Sequence, residues 1–308
     1  MRAAVIGATG FVGRALVPVL ARRGEVVAIS RRRIAPELPG VHGLAADATD
    51  SLRGALEGVD VVYHLVHSLG SRDFPRLDRR AAENVAVEAE RAGVSQIVYL
   101  GGLGEDRPGL SAHLRSRMET AAVLASGGVP VTTLRAAVIV GRGSAAFETV
   151  VALVDRLPVM IAPRWLSTPT QPIALDDTIR YLDGVAGRPE ALGQSFDVGG
   201  PEILTYGDMI ERIARIRGRR PRILEVPVLS PRLSSYWLHL VTPVRAAVAR
   251  PLIEGLRSPT VARDQRIQRL LGFPLTGFCD AARRALDPGR EWQLAAQPGA
   301  RLRPEKAR

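Results

Sequence analysis

The chain has 308 residues, 46% of them hydrophobic and 24% charged, a balance that is ordinary for a globular protein and excludes a disordered or collagen-like chain. Its single cysteine, Cys279, excludes an intramolecular disulfide framework and a cysteine-based metal site, and its single lysine, Lys306, excludes a phosphate-binding Gly-Lys-Ser/Thr loop. The net charge of +11 is concentrated at one end, because residues 1–200 carry 22 basic and 21 acidic side chains whereas residues 201–308 carry 20 and 10.

Strand and helix patterns alternate through the first 140 residues. Short apolar runs predict strands at residues 3–6, 25–30, 41–45, 59–66, 96–100 and 131–137. Apolar residues at helical spacing predict helices at 11–23, 76–92 and 111–126. This alternation is typical of crossover units, so the sequence predicts an α/β fold with a doubly wound parallel sheet of the Rossmann type.

Three glycines spaced three residues apart, Gly7, Gly10 and Gly13, lie directly after the first strand and at the start of the first helix. In this context the first glycine permits a tight turn, the second lets the backbone approach a pyrophosphate, and the third lets the helix lie close to the sheet. Free N–H groups at the helix N-terminus then face the phosphates. The motif predicts a dinucleotide site that also includes Thr9, Phe11 and Val12.

The end of the second strand indicates which dinucleotide is bound. Ser30 is followed by Arg31 and Arg32, and residues 26–36 contain no acidic side chain. An NAD site places a carboxylate here to hold the ribose 2′-hydroxyl, whereas guanidinium groups bind a 2′-phosphate. The pattern favours NADP(H) over NAD(H), the alternative being a solvated arginine run. Further candidate contacts, to the adenine, are Asp47 and Ala48, unless Asp47 is an ordinary loop carboxylate.

Four further segments stand out: Tyr-His-Leu-Val-His-Ser-Leu-Gly at 63–70, Tyr-Leu-Gly-Gly at 99–102, His-Leu-Arg-Ser-Arg at 113–117 and Gly-Ser-Ala-Ala-Phe-Glu at 143–148. Together with the glycine motif they resemble the extended and atypical short-chain dehydrogenase/reductases, and within the atypical branch the YbjT-like NAD(P)H-binding proteins. The resemblance implies a Rossmann fold. It also implies cofactor contacts from Leu65, Val66, His67, Gly101, Gly102, Arg117 and Ala136.

The catalytic pattern of that superfamily is absent from the sequence. Ordinary members place a lysine four residues after a tyrosine, and none of the five tyrosines here has a lysine or arginine at that distance. The resemblance implies that His113 and Arg117 occupy the two positions and that Gly101 and Gly102 replace the usual serine. Arg117 then orients the nicotinamide ribose and His113 donates a proton, unless His113 is a helix-capping or core-edge residue.

We expect residues 1–142 to form the NAD(P)-binding domain, residues 143–296 a smaller α/β substrate lobe with some elements returning to the sheet, and residues 297–308 a disordered tail. In the second lobe, Asp176 and Asp177 predict a helix N-terminus, and Thr205 with Asp208 predicts a capping box. The candidate substrate contacts are Phe147, Glu148, Met160 and Trp165. No metal site is expected.

These patterns predict a reductase that uses NADP(H) and acts on a largely apolar carbonyl or alkene substrate, with His113 and Arg117 as the catalytic pair. The alternative is a non-catalytic protein that binds NADP(H) as a redox sensor or assembly factor, because the usual tyrosine, lysine and serine are missing.

The basic C-terminal third suggests a second partner. Arginines alternate with apolar and Trp-containing stretches over residues 212–257, a pattern that is typical either of a helix on an anionic membrane or of a core helix with solvated arginines. No nucleic-acid recognition motif is present. Since no run of about 18 apolar residues occurs and no leader is evident at Met1, we expect a cytoplasmic protein, peripheral on the inner membrane face if the first interpretation holds.

Overall fold

The computed structural model describes residues 1–32, 34–36, 38–68, 70–71, 73–104, 110–156, 159–162, 164–220, 222–225, 258–287 and 302–304. In chain order its strands are β1 (Ala3–Ile6), β2 (Val26–Ser30), β3 (Ile34–Pro36), β4 (Val41–Ala45), β5 (Val61–His64), β6 (Gln96–Gly102), β7 (Val131–Ala136), β8 (Ile139–Val140), β9 (Val159–Ala162), β10 (Pro169–Thr170), β11 (Ile173–Ala174), β12 (Ser195–Val198), β13 (Leu204–Thr205), β14 (Arg222–Glu225) and β15 (Leu302–Pro304). The α-helices are α1 (Phe11–Leu20), α2 (Phe74–Arg91), α3 (Ala112–Ala125), α4 (Ala145–Arg156), α5 (Leu175–Gly184), α6 (Tyr206–Ile216), α7 (Arg266–Leu271) and α8 (Phe278–Leu286).

A seven-stranded sheet in the order β12-β7-β6-β5-β1-β2-β4 forms the centre of the molecule. All six neighbouring pairs in it are parallel. From β1 the chain builds outward through β2 and β4, then returns to the other side of β1 with β5, β6 and β7. The predicted doubly wound Rossmann sheet is therefore confirmed, and the reversal of strand order between β1 and β5 opens a crevice at their carboxyl ends.

Helices cover both faces of the sheet, so its central strands β1, β2 and β5 are buried along their whole length. On one face α1 and α5 bury residues such as Leu16 and Ile179 against the strands. On the other face α2 and α3 pack together over a second apolar cluster that includes Val85 and Leu124. Alanines at Ala81 and Ala82 on the inner side of α2 are fully buried, and their small side chains allow this close approach.

A smaller lobe lies beyond the carboxyl ends of the strands. Its core is formed by α4, α6 and α8, with Phe147, Met209, Ile213 and Phe278 buried among them. Short pairs complete it: β8 with β11 and β9 with β14 in parallel, and β10 with β13 antiparallel. The Thr205 capping box predicted for α6 is present, with the Asp208 N–H donating to Thr205 Oγ1 at 3.0 Å and the Thr205 N–H to Asp208 Oδ2 at 2.8 Å.

Parts of the chain beyond residue 142 contact the elements of residues 1–142. Residues 175–198 return to the sheet, since α5 packs on α1 and β12 pairs with β7 at the sheet edge. Residues 302–304, in the predicted tail, pair as β15 with β3. Of the basic apolar segment, residues 226–257 lie outside the described residues. Within the described ranges no helix is both long enough and apolar enough to cross a bilayer.

Candidate functional site

A cleft of about 970 Å³ runs along the carboxyl ends of the central strands and on toward the smaller lobe. Its volume lies at the upper end of the roughly 300–1,000 Å³ of ligand pockets, so it has room for more than a small molecule. The residues predicted from sequence that line it are Gly7, Thr9, Gly10, Phe11, Val12, Gly13, Ser30, Arg31, Asp47, Ala48, Leu65, Val66, His67, Gly101, Gly102, His113, Arg117 and Ala136.

The glycine turn has the geometry of a pyrophosphate cradle. Gly7 has φ of +94°, a backbone conformation that favours glycine. A Cβ on Gly13 would lie 2.3 Å from the Gly7 carbonyl oxygen, so only glycine lets α1 approach the turn this closely. Gly10 is the N-cap of α1 and has no side chain to occupy the first N–H groups, and no acidic residue lies in the first turn. These N–H groups suit a dianionic phosphate pair.

The opposite end of the cleft carries the residues predicted to select the adenosine half. Arg31 lines the cleft and is exposed, whereas Arg32 is exposed but lies outside the lining. The Ser30 hydroxyl donates to the carbonyl of Arg32 and so fixes the start of this loop. Asp47 Oδ1 accepts from the N–H and the hydroxyl of Thr49, at 2.9 and 2.8 Å. That side chain therefore shapes its own loop at the rim of the cleft, beside Arg31 in the same lining.

Three polar side chains form a hydrogen-bonded row beside the ends of β5 and β6. The buried carboxylate of Asp78, on α2, lies 2.8 Å through Oδ2 from Nδ1 of His67, which follows β5. His67 Nε2 in turn lies 3.1 Å from Nδ1 of His113, on α3. Asp78 also accepts from the Ser68 N–H at 2.7 Å and from the Ser116 hydroxyl at 3.4 Å. The row runs from the protein interior to the cleft, where His67 and His113 both contribute to the lining.

Burial is the main influence on the pKa of both histidines and favours their neutral forms. Burial, followed by the neighbouring His67 and Arg117, lowers the pKa of His113 to about 3. Burial also lowers the pKa of His67, against the opposing effect of its hydrogen bond to Asp78. For Asp78, burial acts to raise the pKa, but the hydrogen bonds from His67 and Ser68 outweigh it and the pKa stays below its usual value. The resting row thus contains one carboxylate and two neutral rings.

Arg117 lies one helical turn after His113 and is buried. Its guanidinium donates to the carbonyl of Leu100, at the end of β6, and to that of Val66 at 3.4 Å, after β5. The helix that carries this pair begins at Ala112, with Ser111 as its N-cap accepting from the Leu114 N–H at 3.2 Å. His113 is therefore not the capping residue of this helix.

Gly102, at the end of β6, lies close to α3. A Cβ on Gly102 would lie 3.0 Å from Leu114 Cδ2 and 3.6 Å from Arg117 Cγ. A serine here would therefore press against the helix that carries His113 and Arg117.

Of the predicted substrate contacts, two on α4 lie elsewhere. Phe147 is buried in the core of the smaller lobe, and Glu148 is exposed and accepts from the Gly143 N–H at 2.7 Å. The helix turns its opposite side to the cleft. The side chains of Met160 and Trp165 lie outside the described residues. The lining between the histidines and the smaller lobe is instead largely aliphatic, from Leu103, Leu114, Val138, Ile139, Ala145, Ala146, Val150, Leu153 and Ile210, with Thr149, Tyr206 and Thr260.

Asp78 was not predicted from the sequence, although a signal for it exists. In α2 the buried positions include Phe74, Ala81, Ala82 and Val85, which lie on one face of the helix. Asp78 falls on the same apolar face. A carboxylate on the apolar face of an amphipathic helix requires a buried hydrogen-bond partner. The position of Asp78 in the helical pattern could therefore have predicted a buried polar contact.

Within the described ranges no cluster of three histidine, cysteine or carboxylate side chains is arranged to hold a metal ion. The row of Asp78, His67 and His113 is extended rather than convergent, because its two contacts lie on opposite edges of the His67 ring. Such a row of hydrogen bonds can pass a proton from one ring to the next.

Comparison with known proteins agrees with this geometry. Residues 7–147 match the family described as NAD(P)H-binding. The chain is 26% identical over 249 residues to divinyl chlorophyllide a 8-vinyl-reductase from Arabidopsis thaliana, a match that covers 73% of this chain and 59% of that protein. The chain thus spans about three fifths of the plant relative's length.

A bacterial relative matches along nearly its whole length. The (4-alkanoyl-5-oxo-2,5-dihydrofuran-3-yl)methyl phosphate reductase from Streptomyces griseus is 26% identical over 295 residues, covering 90% of this chain and 95% of that one. Among solved structures, an NADPH-dependent quinone oxidoreductase from Escherichia coli in complex with NADPH superposes with a TM-score of 0.73 at 21% identity, over 93% of this chain and all of that one. At 21% identity, the similarity to the quinone oxidoreductase shows a shared fold.

Proposed function

We propose that the protein is an NADPH-dependent reductase of the atypical short-chain dehydrogenase/reductase type, a proposal supported by the match of residues 7–147 to the NAD(P)H-binding family. Its substrate is an uncharged, largely apolar molecule with a carbonyl group or a polarised carbon–carbon double bond. His113 is its catalytic proton donor, and Arg117 orients the nicotinamide ribose.

The observation that carries this proposal is the position of His113. Its ring faces the cleft beside Arg117, at the carboxyl ends of β5 and β6. In a sheet of this topology the nicotinamide half of a dinucleotide lies on that side of the switch point. A titratable ring with a hydrogen-bonded partner at that place is what general acid catalysis requires.

The residues of the cleft fit the cofactor. The α1 N-terminus suits the pyrophosphate, and Arg31 suits a 2′-phosphate. NADPH bound in this way supplies a hydride to the substrate. The protein itself positions the substrate, excludes water with its aliphatic walls and delivers one proton from His113.

The substrate class follows from the lining of the cleft. Among the described lining residues the charged side chains are Arg31 and Asp47, at the adenosine end, and Arg117, whose guanidinium is bonded to main-chain carbonyls. The remaining wall toward the smaller lobe is largely aliphatic, with hydroxyl groups from Ser144, Thr149, Tyr206 and Thr260. Such a wall binds apolar surface and disfavours a carboxylate or phosphate, which would be desolvated without a partner.

The names of two relatives support reduction over other chemistries. One is an 8-vinyl-reductase of divinyl chlorophyllide a, and the other is a reductase of an alkanoyl-oxo-dihydrofuran phosphate. These names describe those proteins. For this chain they support a reductase role, and the aliphatic wall supports a substrate without the phosphate of the second relative.

The test is consumption of NADPH by the purified protein with a panel of apolar enones, quinones and aldehydes. We expect turnover of at least one class, and His113→Ala to lower it by roughly 10²- to 10⁴-fold without changing the Kd for NADPH. His42→Ala is the matched control, since His42 is exposed on β4. Tight NADPH binding without turnover of any panel member would instead favour the non-catalytic sensor.

A further inference from the structure

We infer that His67 and Asp78 form a proton relay behind His113, in which His67 stores the proton that His113 delivers and Asp78 fixes both rings in the required tautomer. The inference rests on the proposed reductase function and deepens it. His113 is the catalytic residue, and His67 and Asp78 act through it.

The direction of each hydrogen bond follows from the ionised carboxylate at its inner end. A carboxylate only accepts, so Nδ1 of His67 carries the proton in its 2.8 Å contact with Asp78. In the neutral ring the other nitrogen, Nε2, is then an acceptor. His113 Nδ1, 3.1 Å away, must therefore be the donor, which leaves His113 Nε2 without a proton on its cleft side.

One added proton on His67 reverses the direction of the hydrogen bond between His67 and His113. A protonated His67 carries N–H groups on both nitrogens, donating to Asp78 through Nδ1 and to His113 Nδ1 through Nε2. His113 is then neutral with its proton on Nε2, facing the cleft. The row thus has two states, an accepting one and a donating one, that differ by a single proton.

The donating state performs the reductase step with atoms and charges in balance. Bound NADPH would supply the hydride, that is two electrons and one hydrogen, to the substrate carbon. As the Nε2–H bond of His113 breaks, its proton passes to the substrate oxygen, or to the second carbon of a double bond. His113 Nδ1 takes the proton from Nε2 of His67, and His67 keeps its Nδ1 proton on Asp78. Both rings end neutral beside the Asp78 carboxylate, so the row has lost one positive charge, and it takes up one proton from water before the next turnover.

The surroundings explain why the proton is stored on His67 and not on His113. The groups that face the row are Arg117 from α3, His64 from β5 and Tyr99 from β6, besides Asp78 from α2. The cationic Arg117 opposes a positive charge on either ring. Only His67 has a carboxylate in direct contact, so its imidazolium is compensated at 2.8 Å.

The environment of Asp78 suits this role. Its side chain is 2% exposed, and three donors, from His67, Ser68 and Ser116, occupy its two oxygens. The Ser68 N–H and the Ser116 hydroxyl hold the carboxylate still. Because both come from the segments that carry His67 and His113, the same bonds keep the two rings in register.

The decisive variant is Asp78→Asn, which keeps the shape and removes the charge. We expect kcat to fall on the order of 10²- to 10⁴-fold, as for other carboxylates that orient a catalytic histidine, with KM and NADPH affinity little changed. The limb of the pH–rate profile on which activity falls with rising pH should move to lower pH, because His67 is harder to protonate without the carboxylate. Ser116→Ala is the control, since it removes only the 3.4 Å bond to the same oxygen, and a few-fold effect is expected.

A double variant separates a relay from two independent structural roles. If Asp78 acts through His67, then Asp78→Asn combined with His67→Asn loses no more activity than His67→Asn alone. Additive losses would overturn the relay. Should Asp78→Asn fail to fold, His67→Asn with Ser116→Ala still measures whether the loss passes through His67.

A spectroscopic readout keeps the relay distinct from the proposed function. In the ¹⁵N spectrum of the imidazoles, His113 should carry its proton on Nδ1 at neutral pH and on Nε2 once His67 is protonated, and Asp78→Asn should abolish this exchange. If the His113 proton moves between Nδ1 and Nε2 as described but no substrate is turned over, the proposed reductase function is wrong and the relay is supported. Turnover present while His113 titrates independently of His67 would overturn the relay and leave the reductase standing.

Discussion

The guanidinium carbon of Arg117 lies 4.8 Å from the centroid of the Tyr99 ring, and the Tyr99 hydroxyl donates to the Arg117 main-chain carbonyl at 3.1 Å. Tyr99 thus contacts both the side chain and the main chain of Arg117. Together with the hydrogen bonds of Arg117 to Leu100 and Val66, these contacts fix α3 against the ends of β5 and β6. No ion pair of Arg117 is found among the residues that the structure describes. Its charge is thus held by carbonyl dipoles and the aromatic face, and remains available to a bound anion.

Arg117→Ala should destabilise the protein as well as weaken NADPH binding. Loss of the guanidinium leaves the buried carbonyls of Leu100 and Val66 without these donors, which costs about 1–3 kcal/mol in the free energy of unfolding. Arg117→Lys should recover little of this, since an ammonium cannot reproduce the planar fork. Urea unfolding and NADPH titration measure both effects. Arg115→Ala, exposed on the same helix, is the control and should change stability by less than about 0.5 kcal/mol; equal losses in both variants would contradict the assignment.

Preference for NADPH over NADH should depend more on Arg31 than on Arg32. Arg31 lines the cleft at the end of β2, whereas Arg32 lies outside the lining and contributes its carbonyl to Ser30. Arg31→Ala should reduce the preference by about 1–3 kcal/mol, the value of a charge-assisted hydrogen bond to the 2′-phosphate. Titrations with both nucleotides, with Arg215→Ala on the smaller lobe as control, test this expectation. A preference for NADH in the unmodified protein would refute it.

Gly13→Ala should prevent cofactor binding with a smaller effect on folding. A methyl group there meets the Gly7 carbonyl oxygen at 2.3 Å and Ala8 Cα at 2.8 Å, so α1 must move away from the turn that faces the pyrophosphate. NADPH affinity should fall at least tenfold, since the helix N–H groups no longer converge on the phosphates. Gly207→Ala is the control, because its Cβ would make only ordinary contacts of 3.4 Å or more. Unchanged affinity in Gly13→Ala would show that the turn is not part of the site.

The parts of the fold that the sequence predicts correctly are those formed by residues close together in the chain. Gly7, Gly10 and Gly13 occupy one turn and the start of one helix, so local spacing alone indicates their geometry. The row of Asp78, His67 and His113 comes from three elements, and no spacing in the sequence states that their side chains meet. The edge strand β12 was missed for a related reason: it has four residues and reaches the sheet only through its pairing with β7.

Residue orientation on a helix was the second source of error. The segment 143–148 predicts contact with a substrate, and its helix α4 does line the cleft. The spacing of apolar residues in α4 does not indicate which side of the helix faces the cleft, because both sides are largely buried. Phe147 therefore fills the core of the smaller lobe while Thr149 and Val150 line the cleft.

Stability should fall as the pH falls below about 6.5, in part through His64. Burial, followed by the charge of Arg117, lowers the pKa of this histidine to about 3, and its Nδ1 has no hydrogen-bond partner among the described residues. The native state keeps the ring neutral while the unfolded chain binds a proton below its ordinary pKa of 6.5, so the stability is present above that pH and is lost as pH falls toward 3. At pH 5 the loss from His64 is about 2 kcal/mol.

His64→Leu tests this contribution. The free energy of unfolding lost between pH 7 and pH 5 should be about 2 kcal/mol smaller in this variant than in the unmodified protein. His42→Leu, at an exposed position on β4, should leave the loss unchanged. An identical pH dependence in all three proteins would show that the His64 ring does not resist protonation.

The charge of the C-terminal third leads to a prediction that the structure sharpens. Arg217 and Arg219 both approach Asp155, with Arg217 donating to its carboxylate at 3.2 and 2.6 Å and Arg219 to its carbonyl at 2.7 Å. Two cations thus share one carboxylate, and part of the excess charge of residues 201–308 is neutralised within the protein. The exposed Arg220 follows directly, so a net positive surface remains at this end of α6.

If this surface binds anionic lipid, Asp155→Asn should strengthen the association and Arg219→Ala with Arg220→Ala should weaken it, each by about 1 kcal/mol per charge near the membrane. Sedimentation with vesicles containing phosphatidylserine measures both, and binding should fall as salt rises, because charges beyond about 10 Å are screened near 0.1 M. Vesicles of phosphatidylcholine alone are the control. Binding that Asp155→Asn does not increase, or that salt does not weaken, would exclude an electrostatic mechanism, and absence of binding at low salt would leave these arginines as solvated partners of Asp155.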